Sequence, residues 1–129
     1  MLLDTHALLW LTLSPGRLSK LANKEISKHL KENGAVLVSA ASFWEISVKI
    51  EKKKIDLRMT ANEFLKLCKD SGQIQILDTT PEQWIQSSGF IWKHTDPIDR
   101  LLVAAASILK APIITKDREI TRFYSQSVW

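Results

Sequence analysis

The sequence contains a single cysteine, Cys68, among its 129 residues. One cysteine excludes an internal disulfide and any zinc site built from a cysteine cluster. No apolar run approaches the roughly 20 residues that cross a bilayer, and Met1-Leu2-Leu3 runs directly into Asp4 instead of the apolar centre of a signal peptide. Internal repeats, low-complexity tracts and linkers are also absent. We therefore expect one domain over residues 1–129, with no membrane association, in a reducing cytoplasm.

The excess of basic over acidic residues is small. The chain has 18 Lys and Arg against 14 Asp and Glu, a formal net charge of +4. This balance permits an anionic partner such as nucleic acid without requiring one. With 45% hydrophobic and 25% charged residues, the composition is that of a soluble globular protein able to bury a core.

The segment from Asp96 to about Lys110 predicts the central helix of the fold. Asp96 is a good N-cap, and Pro97 suits the first helical position. The following residues are apolar on almost every face, which is typical of a helix inside a fold. Asp99 is the exception, because burying its carboxylate is costly unless an opposite charge meets it. Taken alone, Asp99 could equally be the far half of a capping arrangement with Asp96.

Along the chain, short apolar segments alternate with helical ones. Buried strands are predicted at residues 1–3, 36–38, 74–77 and 113–115, with an edge strand at 127–129. Helices are predicted at about 5–13, 18–31, 41–54, 61–70, 81–88 and 97–110, with a helical turn at 118–123. Short, non-alternating apolar strands separated by helices indicate a parallel sheet covered on both faces. The predicted fold class is α/β, a parallel β-sheet flanked by helices in three α/β/α layers.

Four acidic residues are predicted to lie at one edge of this sheet. Asp4 and Asp117 follow strands, while Glu45 and Asp99 occupy early turns of helices that begin at the same edge. Such sheets place their ligand sites outside the carboxyl ends of the strands. Each acid alone has a structural explanation, since Asp4 and Asp117 could cap helices and Glu45 could complete a capping box with Ser42. Together, four carboxylates would repel one another unless a cation lies among them.

The residue types at this edge favour a hard divalent cation. No cysteine is near, and the histidines lack the spacing of two zinc ligands on one helix face. An all-oxygen, carboxylate-rich site suits Mg²⁺ or Mn²⁺. Such an ion acts on phosphate esters by activating water and stabilising the charge that develops on displacement. Ser39, at the end of the second strand, is a further polar residue at this edge.

The sequence carries four motifs: LDTHALLW at residues 3–10, S-x5-EI at 39–46, HxDPxDRLLxA at 94–104, and ITxD at 114–117. In this order and spacing they resemble the motifs of PIN-domain ribonucleases, and among these of the VapC-type toxins of bacterial toxin–antitoxin pairs. The resemblance covers essentially the whole chain. One departure is Ile98, where the family usually has Phe, a conservative change in packing.

The resemblance implies a site, an activity and partners. Asp4 and Asp99 would hold the main ion, and Glu45 would ligate it or orient the attacking water. Asp117 would complete the site or hold a second ion, with Thr115 beside these acids. The implied activity is a Mg²⁺- or Mn²⁺-dependent endonuclease on RNA, with a paired antitoxin that blocks the site and a homodimeric assembly.

Other residues near the predicted site have competing explanations. Capping explains Asp96 adequately without a ligand role. His6 and His94 could touch a phosphate, but we favour a hydrogen bond that orients a neighbour. Arg100 is a candidate for a phosphate contact and, equally, for pairing with an acid of the site.

Two further groups invite a nucleic-acid role. The lysines at 49, 52, 53 and 54 could track RNA, but such a run is more often a solvated helix end. Trp10, Trp44 and Trp84 lie in apolar helical patterns, so we expect core or dimer surface there in preference to base stacking.

Two other classes of function compete with a nuclease. A receiver-like phosphoacceptor would use Asp4, Asp78 and the Thr115-Lys116 pair, but has no role for Glu45 or Asp99 and lacks the acidic pair expected after the first strand. A protein that only binds a partner would need the acids solely as caps. A bound Mn²⁺ ion would separate both from the nuclease.

Overall fold

The computed structural model describes residues 1–129 and is built around a five-stranded parallel sheet. The strands are β1 (Leu2–Leu3), β2 (Val36–Ser39), β3 (Ile74–Leu77), β4 (Ile113–Ile114) and β5 (Ser127–Val128). The helices are α1 (Thr5–Leu13), α2 (Lys20–Asn33), α3 (Ala40–Glu51), α4 (Ala61–Asp70), α5 (Pro81–Gly89), α6 (Pro97–Leu109) and α7 (Arg118–Phe123). A 3-10 helix at Pro15–Arg17 is the one element that the sequence did not predict. The predicted α/β class, with a parallel sheet in three layers, is confirmed.

The central strand β1 and its neighbour β4 contribute to the core on both faces of the sheet. Leu3 and Ile114 belong to a hydrophobic cluster shared with α1 to α4, whereas Leu2 and Ile113 belong to a second cluster shared with α6 and α7. All four side chains are fully buried. Because successive residues of a strand face opposite sides of the sheet, two residues per strand suffice to contact both layers.

The order of the strands reverses between β1 and β4. The sheet runs β3-β2-β1-β4-β5, so the chain first builds outward from β1 and then returns to its other side. In open parallel sheets, ligands bind outside the carboxyl ends of the strands at such a switch point. Asp4 and Thr115 are the residues that directly follow β1 and β4, so the fold brings them together there.

The N-termini of α6 and α3 define where the remaining acids project. Asp96 caps α6, because its side chain accepts from the amides of Ile98 and Asp99 at 2.9 and 3.4 Å, as the sequence predicted. Helix α3 instead begins at Ala40 and is capped by Ser39. The alternative in which Ser42 and Glu45 form a capping box is therefore wrong, since both residues lie inside the helix.

No helix in the chain has the length and apolar character needed to cross a membrane.

Candidate active site

Asp4 is a buried carboxylate at the switch point of the sheet. The residue is only 5% exposed. Its Oδ2 accepts a hydrogen bond from the Thr115 hydroxyl at 2.7 Å. Its Oδ1 accepts from the His6 amide at a longer 3.4 Å. Burial raises the pKa of Asp4, outweighing these hydrogen bonds and the His6 charge, which lower it; the nearby charge of Glu45 raises it further. The charged form of Asp4 is thus less favourable than that of a solvent-exposed aspartate.

Asp99 projects from the first turn of α6 toward the same edge. Its Oδ2 lies 2.6 Å from Nε2 of His94, and its side chain is 21% exposed. Burial raises the pKa of Asp99 to about 6, against the hydrogen bond from His94, and the negative charges of Asp4 and Asp96 add to the rise. Asp99 therefore lies close enough to Asp4 for the charge of Asp4 to raise its pKa. Asp99 is no part of a reciprocal cap, since its carboxylate bonds to His94.

Glu45 occupies the second turn of α3 and has both carboxylate oxygens engaged. Oε2 accepts from the Thr5 hydroxyl at 2.5 Å, and Oε1 pairs with the Lys49 ammonium at 2.5 Å. Thr5 directly follows Asp4 in the chain, so this hydrogen bond connects α3 to the end of β1. The sequence analysis predicted neither the hydrogen bond from Thr5 to Glu45 nor the ion pair of Glu45 with Lys49. The four-residue spacing of Glu45 and Lys49 on one helix does favour such an ion pair.

Asp117 and Ser39 have capping contacts in the structure. The Asp117 carboxylate accepts from the amides of Glu119 and Ile120 at 2.6 and 3.1 Å and so caps α7. Its own amide donates to the Thr115 hydroxyl at 3.0 Å, which connects it through Thr115 to Asp4. The buried Ser39 hydroxyl accepts from the Ala41 amide at 3.2 Å and caps α3. Ser39 therefore fixes the helix that carries Glu45.

The contacts of Arg100 differ from those that the sequence suggested. Its guanidinium pairs with no acid and instead donates to backbone carbonyls of the segment between α5 and α6. An arginine so engaged is not free for a phosphate. The signal that could have revealed this is the irregular segment 90–96, whose carbonyls lack the partners that a helix or strand supplies.

The acids approach one another without forming a preassembled metal cluster. No group of three His, Cys, Asp or Glu side chains is arranged to hold an ion. The donors present nevertheless fit Mg²⁺ or Mn²⁺, because they are all oxygen and because Mg²⁺ is usually held by one or two carboxylates and several waters. Asp4 and Asp99 also lack any Lys or Arg within ion-pair distance. These two carboxylates could therefore hold a divalent cation.

A parallel sheet with carboxylates at its switch point is an arrangement compatible with metal-assisted hydrolysis. The chain belongs to the PIN domain family, which it matches over residues 1–125. PIN domains are generally nucleases, and they generally use divalent metal ions.

Comparisons with individual proteins add a likeness of fold. No curated protein matches the chain. Among the solved structures that match is a toxin–antitoxin complex from Klebsiella pneumoniae, with 18% sequence identity and a TM-score of 0.63. The match covers 99% of this chain and 95% of that one. The two chains therefore share the fold over nearly their whole length.

Proposed function

We propose that the protein is a Mg²⁺- or Mn²⁺-dependent endoribonuclease that acts as the toxin of a toxin–antitoxin pair. One observation supports the activity: a buried carboxylate, Asp4, and a half-buried one, Asp99, lie near the switch point of a PIN fold, and neither has a Lys or Arg partner. The toxin assignment is supported by the VapC-type motifs and by the fold shared with a toxin–antitoxin complex. A reducing cytoplasm, consistent with one buried cysteine, is part of the proposal.

Each side chain of the site has a defined role in this proposal. A divalent ion bound there supplies an activated water and neutralises the charge that develops on the phosphate. Asp4 and Asp99 would hold the ion, and Thr115 orients Asp4 by donating to its Oδ2. Glu45, held by Thr5 and Lys49, would ligate the ion or orient the attacking water. Asp117 would complete the site from the start of α7.

Cationic side chains on two sides of the acids support a polyanionic substrate. On one side, Arg17, Lys116 and Arg118 line a cavity of about 400 Å³ together with Asp4 and Asp117. On the other side, lysines 49, 52 and 54 line a cavity of about 230 Å³ beside Glu45. Cations that contact successive phosphates position a strand without reading its sequence. We infer that an RNA strand crosses the acidic centre from one cationic cavity to the other.

Exposed aromatic surface supports partner binding. Trp44 and Trp84, which are 60% and 49% exposed, line an apolar groove of about 350 Å³, so neither belongs to the core. Large exposed apolar side chains mark interaction sites. We propose that a second copy covers this groove in a homodimer. An antitoxin segment would cover the cavity of about 810 Å³ beside Trp10 and His6 and thereby block the adjacent acids.

Amide substitutions at the acids test the nuclease assignment. We expect Asp4→Asn, Asp99→Asn and Glu45→Gln to lower cleavage of a single-stranded RNA by orders of magnitude, because each removes a negative charge from a cation site. A DNA oligonucleotide of the same sequence, measured in parallel, tests the preference for RNA. If Glu45→Gln and Asp99→Asn both cut RNA at near wild-type rates in saturating Mg²⁺, these two acids have no catalytic role.

Asp78→Asn is the matched control and also tests the phosphoacceptor alternative. Asp78 is exposed and follows the edge strand β3, away from the switch point. We expect this substitution to leave RNA cleavage unchanged. A chain that binds an antitoxin but cuts no RNA in Mg²⁺ or Mn²⁺ would support the partner-binding alternative instead.

A further inference from the structure

The segment between α5 and α6 is organised by one side chain. Residues 90–96 form neither helix nor strand, yet their carbonyls and those at the end of α5 converge on Arg100. The guanidinium donates to the carbonyls of Ser87 and Trp92 at 2.9 Å, and to those of Phe90 and His94 at 3.0 Å. A fifth, longer bond of 3.5 Å reaches the Ser88 carbonyl. Arg100 therefore fixes the path of the whole segment.

Only arginine has donors suited to this arrangement. Its planar guanidinium carries five N–H groups in a rigid fork, whereas a lysine ammonium offers three donors from a single atom. A lysine at this position keeps the positive charge but cannot contact four carbonyls at once. The geometry of Arg100 is thus specific to its side-chain type, and a charge-conserving substitution isolates it.

Aromatic rings hold the same segment from the other side. Trp92 stacks on Phe123 of α7 with centroids 4.5 Å apart and planes 8° from parallel. It also packs on the ring of His94 at 4.7 Å. Phe90 meets Phe123 edge to face at 5.3 Å. The imidazole of His94 is therefore fixed by its own backbone carbonyl and by the neighbouring indole.

The fixed imidazole meets the carboxylate of Asp99. His94 Nε2 lies 2.6 Å from Asp99 Oδ2, and Arg100 directly follows Asp99 on α6. A hydrogen bond to one oxygen of a carboxylate fixes its rotation and leaves the other oxygen for an ion. Partners of this outer kind change metal affinity about 10–100-fold when they are removed.

We propose that Arg100 is a positioning residue, which shapes the segment 90–96 so that His94 holds the Asp99 carboxylate in the orientation that binds the metal ion. The proposal rests on the metal site of the proposed function. It assigns Arg100 a role through His94 and Asp99, with no contact to the substrate. The side chain contributes to the reaction without touching a reacting atom.

The first arm of the test uses the metal-free protein. The chain has three histidines, so the ring signals of His94 are identified in nuclear magnetic resonance spectra by their loss in His94→Ala. We expect Arg100→Lys to shift these signals as far as Asp99→Ala does, because both break the hydrogen bond between His94 and Asp99. Arg122→Lys is the matched control, since Arg122 forms only an exposed pair with Glu119. Unchanged His94 signals in folded Arg100→Lys would overturn the proposal.

The second arm measures Mn²⁺ affinity by calorimetry in a double-mutant cycle. We expect His94→Ala and Arg100→Lys each to weaken Mn²⁺ binding by about 10-fold or more, and the double variant to be no weaker than His94→Ala. The effects of two substitutions on binding free energy are non-additive when the two residues act through the same interaction. If Arg100→Lys weakened binding by an independent structural change, its effect would add to that of His94→Ala. Additive losses, or wild-type affinity in Arg100→Lys, would overturn the role of Arg100.

Two outcomes need a second reading of the cycle. If Arg100→Lys does not fold, Trp92→Leu replaces it, because this change removes the ring that packs on His94 and keeps the carbonyls that Arg100 contacts. The same non-additivity with His94→Ala is expected, and additivity contradicts the proposal. If the wild-type protein binds no Mn²⁺, the proposed metal site is wrong, and the resonance shifts alone decide whether Arg100 positions His94.

Discussion

Glu45 and Asp99 flank the same central acid, Asp4, but they are held in different ways. Glu45 pairs with Lys49, one helical turn further along α3. Asp99 is bonded to His94 from the irregular segment that precedes α6. The first partner follows from helix geometry and carries a permanent charge, whereas the second depends on tertiary contacts and is charged only when protonated. The two sides of the site therefore differ in how much they need an added cation.

The negative charge of Asp99 is less compensated by neighbouring cations than that of Glu45. Its carboxylate has no Lys or Arg partner, and burial raises its pKa to about 6. Glu45 already has an ammonium group at 2.5 Å. We therefore expect an ion bound at this site to gain most from Asp4 and Asp99, and Glu45 to act beside it with its own charge partly compensated.

The largest expected effect is that of Mn²⁺ on stability. When free Mn²⁺ exceeds its dissociation constant about 1,000-fold, binding stabilises the folded protein by about 4 kcal/mol. We expect Asp99→Asn to abolish this stabilisation and Glu45→Gln to retain part of it, because Lys49 already compensates Glu45. Thermal unfolding of the three proteins with and without millimolar Mn²⁺ measures the difference. Equal losses in both variants would remove the distinction, and an unmoved wild-type melting temperature would exclude the metal site.

The parts of the fold and of the candidate site differ in how far the sequence predicts them. The strands, the Asp96 cap of α6 and the expected position of Asp4 and Asp99 at one edge follow from local pattern and the topology rule for parallel sheets. The position of Thr115 beside Asp4 was expected from the family resemblance alone. The contact of Arg100 with carbonyls does not follow from local pattern, since it depends on the path of a segment with no repeating pattern. Local pattern predicts the start of α3 to within one residue, at about 41 against Ala40, but it extends the helix to 54, past its observed end at Glu51. It also offers Ser42 as a cap, whereas Ser39 caps the helix in the structure.

A smaller effect is expected from pH in the metal-free protein. Burial raises the pKa of Asp99 in the folded state to about 6, from the ordinary value of 3.8 for an aspartate. Between these values the folded state binds more protons, so the contribution of Asp99 to stability improves as pH falls through 6 and levels off near 4. Above pH 6, Asp99→Asn should therefore be more stable than wild type by about 3 kcal/mol.

Denaturant unfolding without metal between pH 4 and 8 measures this difference. The two stability curves should converge near pH 4, where Asp99 is neutral in the folded protein. Asp78→Asn, at an exposed carboxylate, serves as the control and should parallel the wild-type curve. A constant gap between Asp99→Asn and wild type across this range would mean that burial of the charge is not its cause.

The smallest effect is expected at Lys49, and its direction distinguishes the two sides of the site. Lys49→Met removes a partly buried ion pair on one helix, so metal-free stability should fall by only about 0.5 kcal/mol. Mn²⁺ should then bind a few-fold more tightly, because the charge of Glu45 is no longer compensated, whereas Arg100→Lys is expected to weaken binding. Lys66→Met, which removes an exposed pair of the same spacing with Asp70, should leave Mn²⁺ affinity unchanged. Weaker Mn²⁺ binding in Lys49→Met would show instead that Lys49 positions Glu45 much as His94 positions Asp99.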